Sequence, residues 1–174
     1  IAGALNNPAT SNTITSLINP VPDVSITAAG PTTFCNQANL CTLTAQNASG
    51  LTLQWTKNNN NISGATGATY VPTTSGTYKV KATTINGCTD LSSGQAIVVN
   101  ALPIATKTVT GPTTFCSGTN ACTITANAGA GLTYQWTKGA ALTPISGATG
   151  ISFQPTTSNN YYKVIVTNGN GCTK

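Results

Sequence analysis

The chain has 174 residues, a net charge of +5 and only 5% charged residues, and its only acidic side chains are Asp23 and Asp90. Histidine, methionine, arginine and glutamate are all absent. General acid–base pairs, Ser-His-Asp triads, Cys-His pairs and histidine metal sites all need residues that are missing. The composition therefore predicts a chain that is not an enzyme and that holds no metal and no cofactor.

The positive charge comes from lysines that are scattered along the chain rather than clustered. Because nucleic-acid-binding proteins usually carry a basic patch rich in arginine, we expect no nucleic-acid partner. The apolar runs are too short to cross a bilayer, so we expect no membrane insertion. Six cysteines without a metal-type Cys-x-x-Cys pair indicate an oxidising compartment, and hence secretion.

An internal repeat is the strongest pattern in the sequence. The run Gly-Pro-Thr-Thr-Phe-Cys at residues 30–35 recurs at residues 111–116, an offset of 81. The run Asn-Gly-Cys at residues 86–88 recurs at residues 170–172, an offset of 84. The small increase in offset falls in polar stretches, where loops tolerate insertions.

Each repeat alternates apolar and polar residues over short segments separated by turn residues, which predicts β-strands. In the first repeat, strand A begins at residue 24, strand E covers residues 68–71 and strand G covers residues 95–100. The inward-facing residues of strands B, C and F are predicted to be Cys41, Leu43 and Ala45, then Leu51, Leu53 and Trp55, then Tyr78, Val80 and Ala82.

Seven strands in about 80 residues, with a tryptophan on strand C and a tyrosine opening strand F, are typical of an immunoglobulin-like β-sandwich. The two positions of the antibody-type disulfide between strands B and F are occupied by Ala45 and Val80. We therefore predict an all-β fold of tandem immunoglobulin-like β-sandwich modules, arranged end to end.

The combination of Pro-Thr-Thr-Phe-Cys, Gln-Trp, Ile-Ser-Gly-Ala-Thr, Tyr-Lys-Val and Asn-Gly-Cys occurs in both repeats. It resembles the immunoglobulin-like repeats of large Bacteroidota surface proteins. Those proteins are typically exported by the type IX system, and gliding-motility adhesins are among them. The resemblance implies a secreted protein that is displayed on the cell surface or in an extracellular filament.

Four cysteines are predicted to form one disulfide in each module. Cys35 comes just before strand B and Cys88 just after strand F. Because strands B and F face each other across the core, we predict the pairs Cys35–Cys88 and Cys116–Cys172, and the resemblance implies the same pairs. In the chain-entropy account each bond would stabilise its module by about 3–4 kcal/mol.

Cys41 and Cys122 remain outside these pairs. Alternation with Leu43 places Cys41 on the core face, where a cysteine behaves as a small hydrophobic residue, and the repeat gives Cys122 the same place. Two alternatives stay open. One is a Cys35–Cys41 bridge, which would leave Cys88 for an interchain bond, and the other is a cross-link between subunits through Cys41.

The ends of the chain do not coincide with the ends of the repeats. Residues 13–20 resemble residues 95–101, which form strand G of the first repeat. We therefore expect residues 1–20 to be a G-strand-like segment that belongs to a preceding or neighbouring module. The first module is predicted over residues 21–101, and the second over residues 102–174 without a G strand of its own.

Two arrangements are compatible with this offset. One is a window from a continuous protein of many repeats. The other is a polymer in which Ile14, Leu17 and Ile18 of one unit fill the empty G position of the next, as in strand-donation assembly. The short, proline-containing linkers favour a stiff rod in both cases.

The predicted function is structural: a non-catalytic repeat of an extracellular filament, stalk or adhesin shaft, whose partners are copies of itself or adjacent repeats in a linear array. The alternatives are a module that binds surface glycans and a spacer of a secreted multidomain enzyme. The aromatic residues available for a glycan platform are Trp55, Trp136, Tyr70, Tyr134, Tyr161 and Tyr162. Alternation assigns both tryptophans to the core and predicts that one of the two adjacent tyrosines is exposed.

Overall fold

The structure is a computed structural model that describes residue 12 and residues 14–38, 41–116, 122–157 and 161–174. The predicted amino-terminal segment lies outside these ranges at residues 1–11 and 13. Residues 21–101 are called the first module below, and residues 102–174 the second module.

All regular elements among the described residues are β-strands, and most are short. The strands of the first module are β1 (Ser25–Ala29), β2 (Thr33–Cys35), β3 (Thr42–Gln46), β4 (Thr52–Lys57), β5 (Asn60–Asn61), β6 (Thr69–Tyr70), β7 (Gly76–Thr83), β8 (Thr89–Leu91) and β9 (Gln95–Asn100). Those of the second module are β10 (Lys107–Thr110), β11 (Thr123–Ala126), β12 (Thr133–Lys138), β13 (Thr143–Pro144), β14 (Ser152–Phe153) and β15 (Tyr162–Thr167).

Each module consists of two sheets. In the first module one sheet has the order β1-β3-β6, and the other has the order β2-β9-β7-β4-β5 with β8 paired to β7. In the second module the orders are β10-β11-β14 and β13-β12-β15. No sheet in the described ranges contains strands of both modules, and each module has its own hydrophobic core. The fold is thus all-β, of the immunoglobulin-like β-sandwich type.

The alternation seen in the sequence explains which side chains form the first core. Tyr78, Val80 and Ala82 on β7 are almost completely buried, and Lys79 and Lys81 between them point outward. Strand β9 covers the residues predicted for strand G. Both predictions are confirmed, because each strand of a sandwich presents one face to the core and the other to solvent.

The two cores are alike in that each contains a buried tryptophan whose indole nitrogen makes a hydrogen bond. Trp55 Nε1 donates to the carbonyl oxygen of Gly67 at 2.9 Å, and Trp136 Nε1 donates to that of Gly150 at the same distance. Both indole rings are fully buried, so the assignment of the two tryptophans to the core is confirmed. Their polar atoms are satisfied inside the module, as buried groups require.

Strand A changes sheets at Gly30, a feature that the strand pattern does not predict. Strand β1 pairs with β3 in one sheet, whereas β2 pairs in parallel with β9 in the other. Gly30, between them, has a φ of 93°, which is readily adopted only by glycine. Its counterpart Gly111 has a φ of 87°. This turn carries Cys35 to the edge of the larger sheet.

Candidate assembly site

The disulfide of the structure links the two modules to each other. Cys35, at the end of β2, is bonded to Cys172, which lies 137 residues further along the chain. Their Cα atoms are 5.6 Å apart, a normal separation for a disulfide. Next to this bond, Asn168 Nδ2 donates to the carbonyl oxygen of Ala101 at 2.9 Å. The loop after β15 is therefore held against the linker between the modules.

The predicted pair Cys35–Cys88 is wrong, because the two cysteines lie at opposite ends of the first module. Strand β2 runs parallel to β9, and Cys35 lies beside Asn100, where β9 ends. Strand β7 runs antiparallel to β9, so Cys88, which follows β7, lies at the end where β9 begins. Facing each other across the core is not sufficient for two strands to bring their flanking cysteines together.

The predicted pair Cys116–Cys172 is wrong as well, since Cys172 is bonded to Cys35. The same bond excludes the alternative bridge between Cys35 and Cys41, and Cys41 is a free thiol. The error in both modules has one cause. The residues before strand B lie at the end of the sandwich where β9 ends, whereas the residues after strand F lie at the end where β9 begins.

Cys41 and Cys122 lie inside the two cores. Cys41 has no exposed surface, and Cys122 is 3% exposed. Burial raises the pKa of the Cys41 thiol, because the charged thiolate is poorly solvated there. A thiol with this burial is out of reach of a second subunit, so the alternative of a cross-link through Cys41 is not supported by its position.

The two modules differ most at the outer edge of strand F. In the first module β7 is flanked by β4 and β9. In the second module β15 pairs with β12, and its far end also pairs with the residues that follow it, through the bridge between Thr167 and Thr173. No described strand lies beside the start of β15, where the first module has β9, and we refer to this part of its edge as the open edge. A strand with unpaired backbone groups is a template for further pairing.

The open edge leaves apolar side chains less covered than their counterparts in the first module. Phe34 is 5% exposed in the first module, whereas Phe115, at the equivalent position, is 36% exposed. Val80 is fully buried, whereas Val164 on β15 is half-buried. A shallow pocket of about 190 Å³ lies beside this strand, lined by Ala105, Thr106, Lys107, Lys163 and Val164.

The amino-terminal segment at residues 14–20, by contrast, carries apolar side chains that are almost fully exposed to solvent. Ile14 is 90% exposed, Leu17 is 84% exposed and Ile18 is 88% exposed. Residues 14–20 form no strand in this structure. That they act as a donated strand stays a prediction here.

The acidic side chains and the exposed aromatic residues build no reactive cluster. Asp90 Oδ2, on β8, accepts a hydrogen bond of 3.2 Å from the backbone nitrogen of Val24, the residue before β1. Within the described ranges, no group of three or more His, Cys, Asp and Glu side chains is placed to hold a metal ion. Tyr161 is 77% exposed and Tyr162 is half-buried, so the prediction for this pair is confirmed.

No helix in the described part of the chain has the length and apolar character needed to span a membrane.

Comparisons with known proteins give little guidance on function. Residues 105–174 match a family model described as a domain of unknown function, DUF8696. No curated protein matches the chain. Among solved structures, the chain is similar to the fibronectin(III)-like modules of CbhA from Clostridium thermocellum, with a TM-score of 0.38 and 15% identity over 86% of this chain and 88% of that one. A likeness of this size carries no argument about what the chain does.

Proposed function

We propose that the chain is a non-catalytic structural unit of an extracellular filament, stalk or adhesin shaft, in which immunoglobulin-like modules follow one another in a linear array. The observation that carries this proposal is the open edge of β15, where the first module has β9 in the same place. A sandwich with an unpaired edge and a partly uncovered core gains stability when a strand is added.

At the offset of 81 residues, residues 14–19 of a second copy correspond to residues 95–100 of β9. Ile18 corresponds to Val99, which is half-buried on β9, and Leu17 corresponds to Val98, which is 45% exposed. In the proposed array, Ile14 and Ile18 of one unit lie on the inward side at the open edge of the next, and Leu17 lies on the outward side.

Strand addition of this kind reproduces a junction that the chain already contains. Strand β9 leads through residues 101–106 directly into β10, the first strand of the second module. In the same way, residues 14–20 of one unit would lie at the open edge of its neighbour. The chain would then continue into the first module of its own unit, with Pro20 and Pro22 in the linker. Every junction of the array would then have a short proline-containing linker, which favours a stiff rod.

Secretion is part of the proposal. A disulfide between modules is stable in an oxidising compartment and is rare in the cytosol. The Cys35–Cys172 bond therefore supports secretion.

Glycan binding is the less favoured candidate. The two tryptophans are fully buried, and Tyr70 is stacked on Trp55 with ring centroids 5.8 Å apart. Sugar platforms need aromatic faces that are open to solvent. Tyr161 alone offers little surface, so we propose assembly rather than recognition of a surface glycan.

The experiment is a comparison of assembly by the full chain and two variants with the same added charge, Ile18→Asp and Leu17→Asp. Size-exclusion chromatography with light scattering and negative-stain electron microscopy would measure polymer mass and length. We expect linear polymers of the unmodified chain, a strong loss of polymer for Ile18→Asp and a smaller loss for Leu17→Asp.

A chain that stays monomeric at every concentration would overturn the assembly proposal. Native material that runs as a single very long polypeptide on a denaturing, reducing gel would refute strand exchange between units and leave the linear array of modules in place.

A further inference from the structure

Cys88 lies at the end of the first module that receives the amino-terminal segment. It is a free, half-buried thiol. Its Sγ donates to the carbonyl oxygen of Asn19 at 3.7 Å, and Asn86 Nδ2 donates to Asn19 Oδ1 at 3.1 Å. Residue 19 is thus held against the loop that carries Cys88.

The equivalent place in the second module carries a disulfide. Cys172 has the position of Cys88 at the offset of 84 residues, and it is bonded to Cys35. Cys35 in turn lies directly opposite Asn100 in the pairing of β2 with β9. Asn100 is the counterpart of Asn19 at the offset of 81 residues. Asn19 and Cys88 therefore correspond to Asn100 and Cys172 at the junction between the two modules. At that junction a partner cysteine, Cys35, lies opposite the asparagine and is bonded to Cys172.

We propose that Cys88 forms a second inter-module disulfide, with the cysteine at the Cys35 position of the module that takes residues 14–20 as its G strand. In a second copy of this chain that cysteine is Cys116. In a longer polypeptide it is the corresponding cysteine of the preceding repeat. This inference rests on the proposed function, because the partner cysteine arrives only when modules are joined in an array.

The geometry of the completed junction shows that the partner would be within reach. Paired strands are about 4.8 Å apart, so a cysteine that pairs opposite Asn19 lies next to the Sγ of Cys88. At the completed junction the carbonyl oxygen of Asn100 accepts a hydrogen bond of 2.8 Å from the backbone nitrogen of Asn36. On Asn19 the same oxygen accepts the Cys88 thiol instead, and disulfide formation would release it for the residue after the partner cysteine.

Formation of the bond is an oxidation of two thiols. The Sγ–H bonds of Cys88 and the partner cysteine break, one S–S bond forms, and two protons and two electrons leave. A protein or small-molecule disulfide takes them up by thiol–disulfide exchange and departs as two thiols. Such oxidants belong to the same compartment that maintains the Cys35–Cys172 bond.

The test is disulfide mapping of native assembled material that has been isolated without reductant and blocked with N-ethylmaleimide. We expect a peptide containing Cys88 linked to one containing Cys116, which identifies a second copy as the partner. A link from Cys88 to a Pro-Thr-Thr-Phe-Cys peptide from outside these 174 residues also supports the bond and identifies a preceding repeat.

Two variants of the full chain separate this bond from assembly itself. Cys88→Ser should still polymerise in native buffer but lose the ladder of multimers on a non-reducing denaturing gel. Cys172→Ser, at the equivalent position, should keep that ladder, because it breaks only the bond within the unit. Reductant should abolish the ladder of every variant.

Polymers whose Cys88 is blocked by N-ethylmaleimide would overturn the disulfide while leaving the proposed function intact. A full chain that forms no polymers at all, with Cys88 blocked, would overturn both.

Discussion

At the scale of single residues, the tyrosine that opens strand F is used in the same way in both modules. The hydroxyl of Tyr78 donates to the carbonyl oxygen of Thr74 at 2.7 Å, and that of Tyr162 donates to the carbonyl oxygen of Thr157 at 2.8 Å. Each bond ties the start of the strand to the loop before it. A hydrogen bond of this kind contributes about 1 kcal/mol, and more when it is buried and its loss leaves a partner unsatisfied.

Tyr78→Phe should therefore lower the free energy of unfolding of the first module by about 1–2 kcal/mol, because the carbonyl oxygen of Thr74 loses its donor. Urea unfolding monitored by tryptophan fluorescence measures the change. Tyr161→Phe is the matched control, since this side chain is 77% exposed, and it should leave the unfolding midpoint unchanged. Equal destabilisation by both variants would contradict the role assigned to Tyr78.

Two buried groups make the stability of the first module depend on pH under alkaline conditions. Burial raises the pKa of the Cys41 thiol above its ordinary value of 9.0, and burial together with Tyr78 raises the pKa of Tyr70 above 10.0. Both groups stay neutral in the folded state while the unfolded chain releases its protons. Their contribution to stability is therefore complete below pH 9 and is lost as the pH rises further.

Urea unfolding from about pH 6 to about pH 10 should give a constant stability near neutrality, since the chain has no histidine, and a decrease above pH 9. In Cys41→Ala the decrease should begin at a higher pH, because Tyr70, whose ordinary pKa is higher than that of a thiol, then provides the raised pKa. A decrease that begins at the same pH in both proteins would show that the thiol does not contribute.

At the scale of strands, much of the first sandwich follows from the sequence. Strand β9 coincides with the predicted strand G because a short apolar run rich in β-branched residues lies between turn residues. Strand β2 was not predicted, since three residues after a Gly-Pro pair have no readable period. Its pairing is decided by the long-range fit to β9, which local sequence does not encode.

The cysteine pairing failed for a related reason. The sequence shows that Cys35 precedes strand B and that Cys88 follows strand F, but the ends of the sandwich at which they lie depend on strand direction. Parallel pairing of β2 with β9 settles this. The internal repeat contained a usable signal, because two equivalent cysteines at opposite ends of each module suit bonds between successive modules better than bonds within them.

The turn at Gly30 is a prediction at this scale. With a φ of 93° this residue directs strand A from one sheet to the other, and a side chain is strained in that conformation. Gly30→Ala should lower the stability of the first module by about 1–2 kcal/mol in thermal or urea unfolding.

Gly169→Ala is the control for this turn, because Gly169 has no positive φ and nothing lies within 4 Å of an added Cβ. It should have little effect. If Gly30→Ala were as stable as this control, the turn would not depend on glycine.

At the scale of the whole molecule, the Cys35–Cys172 bond joins two modules that have separate cores. Cys35→Ser should therefore leave both modules folded while the stretch between β9 and β10, residues 101–106, becomes more accessible. Hydrogen exchange by mass spectrometry should show faster exchange there and unchanged protection in β4 and β12. Unmodified protein treated with reductant is the control and should behave alike. Loss of protection in either core would contradict the separation of the modules.

The central claim is that the open edge of β15 is the place where units join. Electron cryo-microscopy of the assembled native material tests it most directly, because side-chain density identifies the strand that lies there. We predict residue 14 of a neighbouring unit beside Tyr162 at the start of β15, with residues 17–19 parallel to residues 114–116, as the pairing of β9 with β7 and β2 implies. The junctions of such filaments should all resemble the one at residues 101–106. Isolated particles with an uncovered β15, or filaments in which this edge remains exposed and the units join elsewhere, would contradict the claim.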